Sequence, residues 1–539
     1  MKIIVTALAT SIVALLFAPQ IAFAHEAVLQ PPARSAPEQL GTVHFATSCN
    51  PAVQEQFSRA MALLHSFWAN DAIKTFNAVL QQDPACAIAY WGIAMSHQQN
   101  PLTAQQPLSK SAQEALAGLD KAKEIGAKTQ RERDYLAAIE LIYRDADKID
   151  FRTRRISYEK AMQALMQRYP DDTEAQIFYA LALNMTAPPT DKTYANQLKA
   201  AAILEKIVEQ QPNHPGVAHY LVHSYDYPAI AERGLPAARL YARIAPNHPH
   251  ALHMPSHIFT RLGMWQDSIE NNRRSVAAAK AEGNGQEQAH ATDYLVHAHL
   301  QLGQDAEAKQ LVDQIPSITG INRAIFIGPY ATSAMPARYA LERRAWKEAT
   351  ALQPQPSQFP FTEAITHFAR GLGFARTGDI AAAEKEVSEL VARQDALERQ
   401  KNTYWANQVD VQRQAVMAWI AWERGNRDEA LKAMRAAADL EDSMEKHIVT
   451  PSPVVPAREL LGDMLLEAKQ PAEALEAFES SAQREPNRLR GLYGAAQAAA
   501  LSGNRDKAKQ YYAKLIALAE KGDGARRELQ QAKAFLAQR

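Results

Sequence analysis

Small and apolar positions recur along this chain at the spacing of paired helices. The run from Ala457 to Phe478 carries Leu461-Gly462, then Ala474 and Phe478, and is followed by Pro486; a second copy continues through Gly503, Ala508 and Tyr512. Small residues stand where two helices must touch, and each pair closes in a turn. The same register fits Ala72, Phe76 and Pro84, Trp91-Gly92, Gly371 with Gly378 and Ala383, and Gly425 with Ala430 and Met434. The pattern predicts an all-α chain of about eight to ten helix-turn-helix pairs from about residue 50 to 520, degenerate between Thr129 and Met185. Proline-rich stretches at 187–191, 353–361 and 449–456, and a Gln/Pro-rich stretch at 97–107, block helix continuation and are expected to be loops between sub-blocks of one solenoid. The expected divisions are 25–185, 186–350 and 351–539.

One apolar run has a different character. Lys2, the stretch Ile3 to Phe17 and the small-x-small triplet Ala22-Phe23-Ala24 read as a cleavable leader, residues 1–24, cut after Ala24 so that the mature chain begins at His25. No lipid-attachment cysteine follows, and no other stretch approaches about 18 uninterrupted apolar residues. The expectation is a periplasmic or secreted protein with no integral membrane segment after cleavage.

The marker set resembles the tetratricopeptide repeat (TPR) family, whose unit has a Leu-Gly pair in its first helix, Ala and an aromatic in its second, and a terminal Pro. Leu461-Gly462, Ala474, Phe478 and Pro486 are the matching residues. The resemblance implies a right-handed superhelix, because one helix pair cannot bury its own apolar face and neighbours must supply the core. It also implies a concave groove that takes a protein or peptide segment.

Charge narrows the partners: 59 Lys+Arg balance 59 Asp+Glu, which gives no electrostatic reason to expect nucleic acid or anionic lipid. The 22 glycines among 539 residues are fewer than the usual share of about 7%, in keeping with few hairpin turns. Cys49 and Cys86 are the only cysteines. In an oxidising compartment such a pair reads as a structural bridge, constraining the unfolded chain by about 4 kcal/mol; two buried free thiols are the alternative.

The histidines carry the candidate chemistry. Of 16, ten lie within residues 214–299, and Pro212-Asn213-His214-Pro215 with His219 and His223 is echoed 34 residues later by Pro246-Asn247-His248-Pro249 with His253 and His257. A third helix offers His290, Asp293 and His297 after about six extra residues around Glu282 to Gln288. The pairs His219/His223, His253/His257 and Asp293/His297 are spaced i, i+4, so both side chains leave one helix face. In the resembled family these positions of the first helix carry ligand contacts, which points them into the groove. Five histidines and one carboxylate on adjacent ridges form a candidate first shell for one or two transition-metal ions, Zn, Cu or Fe. His250 and His290 are further ligands or supporting partners, and Asp226, Tyr225 and Tyr227 are candidate supporting groups. Met254 and a free N-terminal His25 hint at copper. Arg338 faces either an anionic ligand or a surface ion pair.

Competing readings stand beside this one. Groove histidines can bind peptide carboxylates or aromatic side chains, or simply hydrogen-bond, and His214 and His248 fit helix-entry turns. Leu63 to Trp68 and Tyr90-Trp91-Gly92 read as core aromatics, and His65 and His97 as polar ends of their helices. There is no His-Glu-x-x-His, Gly-x-Ser-x-Gly, phosphate-binding glycine loop or Cys-x-x-Cys. The sequence therefore supports an exported binding module whose histidine-rich groove holds a metal and a protein or peptide segment. The alternatives are a metalloenzyme, with Asp226 or a nearby Tyr assisting proton transfer, and a periplasmic metal store or carrier.

Overall fold

The computed structural model describes residues 39–103 and 106–538. The expected leader, its cut after Ala24, and His25 lie outside them. The described residues form helices and no strand.

Each helix packs on the next in the chain, and in most pairs the first helix also packs on the first helix of the following pair, as Gly285–Gln301 does on Ile327–Glu342. This is a TPR-like solenoid. The sequence markers act through close approach: a Cβ on Gly92 would lie 2.3 Å from the Phe76 ring, and one on Gly494 would lie 2.3 Å from the Phe478 ring. Only glycine lets the helices come that near. The stacking runs further than the markers do. Ser109–Ile125, Gln130–Tyr143, Phe151–Arg168 and Thr173–Thr186 continue it on buried side chains such as Tyr135, Ile139, Tyr158 and Phe178. With Pro249–His253 and Pro255–Arg261 taken as one interrupted helix, the described helices make twelve pairs and a closing helix, Arg527–Ala537.

One apolar core runs from Leu40 to Phe259, across residue 185, and a second from Phe326 to Ala498. Smaller clusters around Val296 and around Trp265 join them at helix Gly285–Gln301. Cys49 and Cys86 form a disulfide with Cα atoms 4.8 Å apart, tying the entry segment to the start of helix Ile88–Ser96.

Two features fill the interior of the superhelix. The last helices return onto the middle of the array: Trp265 Nε1 donates to the Asn487 carbonyl at 2.8 Å, Leu489 N donates to Gln301 Oε1 at 3.1 Å, and Arg526 pairs with Asp305 at 2.6 Å. The stretch 449–456 is a loop, as its prolines require, but it turns inward instead of separating blocks at the surface. Val449, Thr450, Ser452 and Val454 are buried. Its neighbours reach across the molecule, Glu445 to Lys192 at 2.7 Å and Lys446 to Asp226 at 3.2 Å.

Candidate metal centre

The duplicated Asn-His-Pro turns are helix starts. His214 Nδ1 accepts from Val217 N at 3.3 Å and His248 Nδ1 accepts from Ala251 N at 3.2 Å, while Pro215 and Pro249 occupy the first helical position. Two helices launched alike present their i, i+4 histidines alike. His219 and His223 bring their Nε2 atoms to 3.1 Å, and His253 and His257 bring theirs to 3.0 Å, the latter across the interruption at Pro255. His250 completes the first set with its Nε2 3.2 Å from that of His219. His290 completes the second, its ring centroid 4.3 Å from that of His253. Each set offers three ligand atoms within 4.8 Å of one another. The sets adjoin, the His223 and His257 centroids lying 5.9 Å apart.

Hydrogen bonds fix which nitrogen faces inward. His219 Nδ1 donates to the His65 carbonyl at 2.7 Å, and His257 Nδ1 donates to Asp226 Oδ2 at 2.9 Å. His253 Nδ1 donates to Asn272 Oδ1 at 2.6 Å, and the Asn272 amide is held that way round by its own bond to the Ser268 carbonyl at 2.8 Å. In the neutral rings of His253 and His257 the proton is therefore on Nδ1, and two bare Nε2 lone pairs confront each other. Such lone pairs repel at 3.0 Å unless a cation shares them. Burial pushes His219, His223, His253 and His257 below the usual imidazole range and His290 down to about 3, so the rings are in the neutral, metal-binding state.

Asp226 is the anchor of the second set. Burial opposes its ionised form, yet Lys446, Arg261 and His257 hold its carboxyl well below the usual range. Arg261 Nε donates to Oδ1 at 2.9 Å and Lys446 Nζ to Oδ2 at 3.2 Å.

Asp293 and His297 are not brought to these groups. Asp293 Oδ1 accepts from Arg338 Nε at 3.1 Å, and Arg338, fully buried rather than facing a surface partner, also donates to the Ser452 carbonyl at 2.8 Å. His297 lies edge-on to Trp265 at 5.2 Å with neither ring nitrogen hydrogen-bonded among the described residues. The face of helix Gly285–Gln301 that meets His253 and His257 carries His290 and Tyr294, whose ring centroid lies 4.6 Å from His253. The physical counterpart of the i, i+4 pair is thus His290/Tyr294. Without a proline start, and with an insertion before it, the third helix could not be placed in register by spacing alone.

Two other clusters have the residue types of a metal site but are already satisfied. His65 Nε2 and His214 Nε2 each donate to a Glu174 oxygen at 2.9 Å, while Tyr220 bonds His65 Nδ1 at 3.1 Å. Cys49 and Cys86, near Asp83, are bonded to each other.

A cavity of about 140 Å³ opens beside the centre, with His223, His250, His257 and His290 in its wall. Phe67, from the turn after helix Gln54–His65, lies 4.4 Å from His219 and lines it, as do Ile448 and Val449 of the inward loop. Phe67, read in the sequence as a core aromatic, instead lies in a turn and lines the cavity, while Asn272, Tyr294 and Lys446 carried no signal beyond helix periodicity or loop composition.

The fold and this geometry define a TPR-like solenoid with two adjoining, buried three-histidine groups. No protein-family model matches the chain, and no curated protein does. Similar solved structures include a human IFIT1 dimer with PPP-AAAA, 12% identical over 80% of this chain and 90% of that one, TM-score 0.39. Yeast Tom70 is 12% identical over 90% of this chain and 96% of that one, TM-score 0.36. The APC/C hetero-tetramer Cut9–Hcn1 is 12% identical over 91% of this chain and 90% of that one, TM-score 0.32. Among the described residues, no helix is long and apolar enough to cross a membrane.

Proposed function

We propose that this chain is an exported metalloprotein whose solenoid holds two transition-metal ions, one at His219, His223 and His250 and one at His253, His257 and His290. The observation that carries this reading is the pair of Nε2 atoms of His253 and His257 facing each other at 3.0 Å while both Nδ1 protons are committed to Asn272 and Asp226. The donor set favours copper or zinc over iron, because open non-haem iron sites include a carboxylate, whereas neutral imidazoles suit copper and zinc. Three protein ligands leave a coordination position open, the arrangement of a catalytic rather than a structural site. His223 and His250 of the first set and His257 and His290 of the second line the cavity, which favours action on a small molecule over storage. Burial of all six histidines speaks against their use as peptide contacts. The disulfide and the leader-like N-terminus support export to an oxidising compartment.

The test is elemental analysis of untagged protein, purified without chelators, beside the His253→Ala/His257→Ala variant. The reading expects about two equivalents of copper or zinc in the parent and, with the helical signal retained, about half or less in the variant. Equal metal in both contradicts the assignment.

A further inference from the structure

The two histidine sets touch at two points. His223 of the first meets His257 of the second with ring centroids 5.9 Å apart, and His250 of the first meets His253 of the second at 6.4 Å. Ions held about 2 Å from the Nε2 atoms therefore share one continuous cluster of six imidazoles. Each set also gives two members to the wall of one cavity, His223 and His250 from the first and His257 and His290 from the second. A molecule in that cavity meets both sets at once.

The wall selects the molecule. The cavity, of about 140 Å³, is lined by no lysine or arginine among the described residues and by a single carboxylate, Glu287, so an organic ion finds no counter-charge there. Met254, Ile448 and Val449 give it apolar surface. Phe67 lays its ring against the whole first set, 4.4 Å from His219, 6.1 Å from His223 and 5.7 Å from His250. It does so from left-handed backbone at φ 56°, which a bulky residue rarely adopts and which collects at functional sites. The guest that fits is small and uncharged.

We infer that the two sets form one coupled dicopper centre that binds dioxygen between its ions from the cavity side. This rests on the metal reading above, with copper in both sets. Two-metal sites that share an oxygen ligand hold their ions about 3.5–4 Å apart, a separation that the contact of His223 with His257 permits. All six ligands are neutral, and burying charge without an anionic ligand is costly, which favours the singly charged ion in the resting centre. When dioxygen binds, each Cu(I) gives it one electron. Both ions become Cu(II), copper–oxygen bonds form, the O–O bond falls from double to single, and no proton moves. The ions and their guest together carry two positive charges before the step and two after it, so the buried site gains no charge.

The experiment loads untagged protein with Cu(I) under anaerobic conditions, counts the copper by elemental analysis, and titrates with dioxygen. Oxygen uptake, absorption and the electron paramagnetic resonance spin count are read on the parent, on zinc-loaded parent, and on a His290→Ala variant with retained helical signal. The inference expects about one dioxygen per two copper ions and a charge-transfer absorption absent from the zinc protein. The parent's spin count should lie at least about tenfold below its copper count, because two Cu(II) ions sharing a ligand pair their spins. In His290→Ala, which keeps the first set, uptake per copper should fall at least about tenfold, and each copper, once oxidised, should show its own spin. A parent with two coppers that takes up no dioxygen, or whose spin count equals its copper count after oxidation, overturns the inference and leaves the metal reading standing, whether or not the variant folds. Undiminished uptake per copper in His290→Ala overturns it too. A parent that takes up neither copper nor zinc overturns the metal reading itself, and the inference with it.

Discussion

At the scale of single residues, Asn272 and Asp226 do as much as the histidines, because they decide which nitrogens of His253 and His257 face each other, where the proposed ion would sit. Outer partners of metal-bound histidines typically contribute ten- to a hundredfold in affinity. Asn272→Leu is therefore expected to weaken metal binding by about one to two orders of magnitude with the helical signal retained, read by competition against a chelator; an unchanged affinity would mean that Asn272 does not hold His253. Asp226 was legible as a supporting group because it follows the His219/His223 helix directly. Asn272 was not, since it sits in the second helix of its pair, where a polar residue reads as surface until the neighbouring histidine is placed. Asp293 makes the opposite case: its bond to the fully buried Arg338 is structural. Removing one partner of such a pair costs about 3–5 kcal/mol. Asp293→Asn is expected to lose a large part of that in urea unfolding, while its metal content equals that of the parent.

At the scale of elements, the 34-residue echo carried the first two histidine helices because each begins with the same His-Pro turn. The third begins at Gly285 after Asn284, without a proline, and spacing placed Asp293/His297 where the structure places His290/Tyr294. His290→Ala should therefore lose about one equivalent of metal and His297→Ala none, measured by elemental analysis; the reverse pattern would restore the spacing-based register. The all-helical array was readable wherever Gly and Ala mark close approach, as at Gly92 and Gly462. Between 109 and 186 buried alanines such as Ala115, Ala138 and Ala175 pack with large side chains such as Tyr135 and Phe178, and no Leu-Gly pair marks the register. The Cys49–Cys86 bridge was readable because these are the only two cysteines and export was expected. Replacing both cysteines by Ala should lower unfolding stability by about 4 kcal/mol, and a midpoint unchanged in urea would show that the bridge does not constrain the unfolded chain.

At the scale of the whole molecule, the resemblance implied an open groove, whereas the structure buries the loop 449–456. Prolines at 449–456 announce a loop, but that the loop turns inward depends on contacts with Lys192, Asp226 and Arg338, each more than a hundred residues away. The same packing withdraws histidines outside the centre from water, His297 fully and His447 in part. Burial, with Arg338 adding, pushes His297 well below the usual range, and burial with Lys446 pushes His447 down to about 3. Both are neutral when folded and take up protons below about pH 6.5 when unfolded. Stability is thus full above that pH and falls as pH drops through it, by about 1.4 kcal/mol per unit for each group. Metal-free protein is expected to be at least about 4 kcal/mol less stable at pH 5 than at pH 7, and urea midpoints that do not move with pH would contradict this. Anomalous scattering at the metal edge from crystals of copper-loaded, untagged protein would locate the proposed ions. Two peaks are expected, one among the Nε2 atoms of His219, His223 and His250 and one at the site of His253, His257 and His290. No peak at either set, or density at Asp293 and His297 instead, would contradict the account.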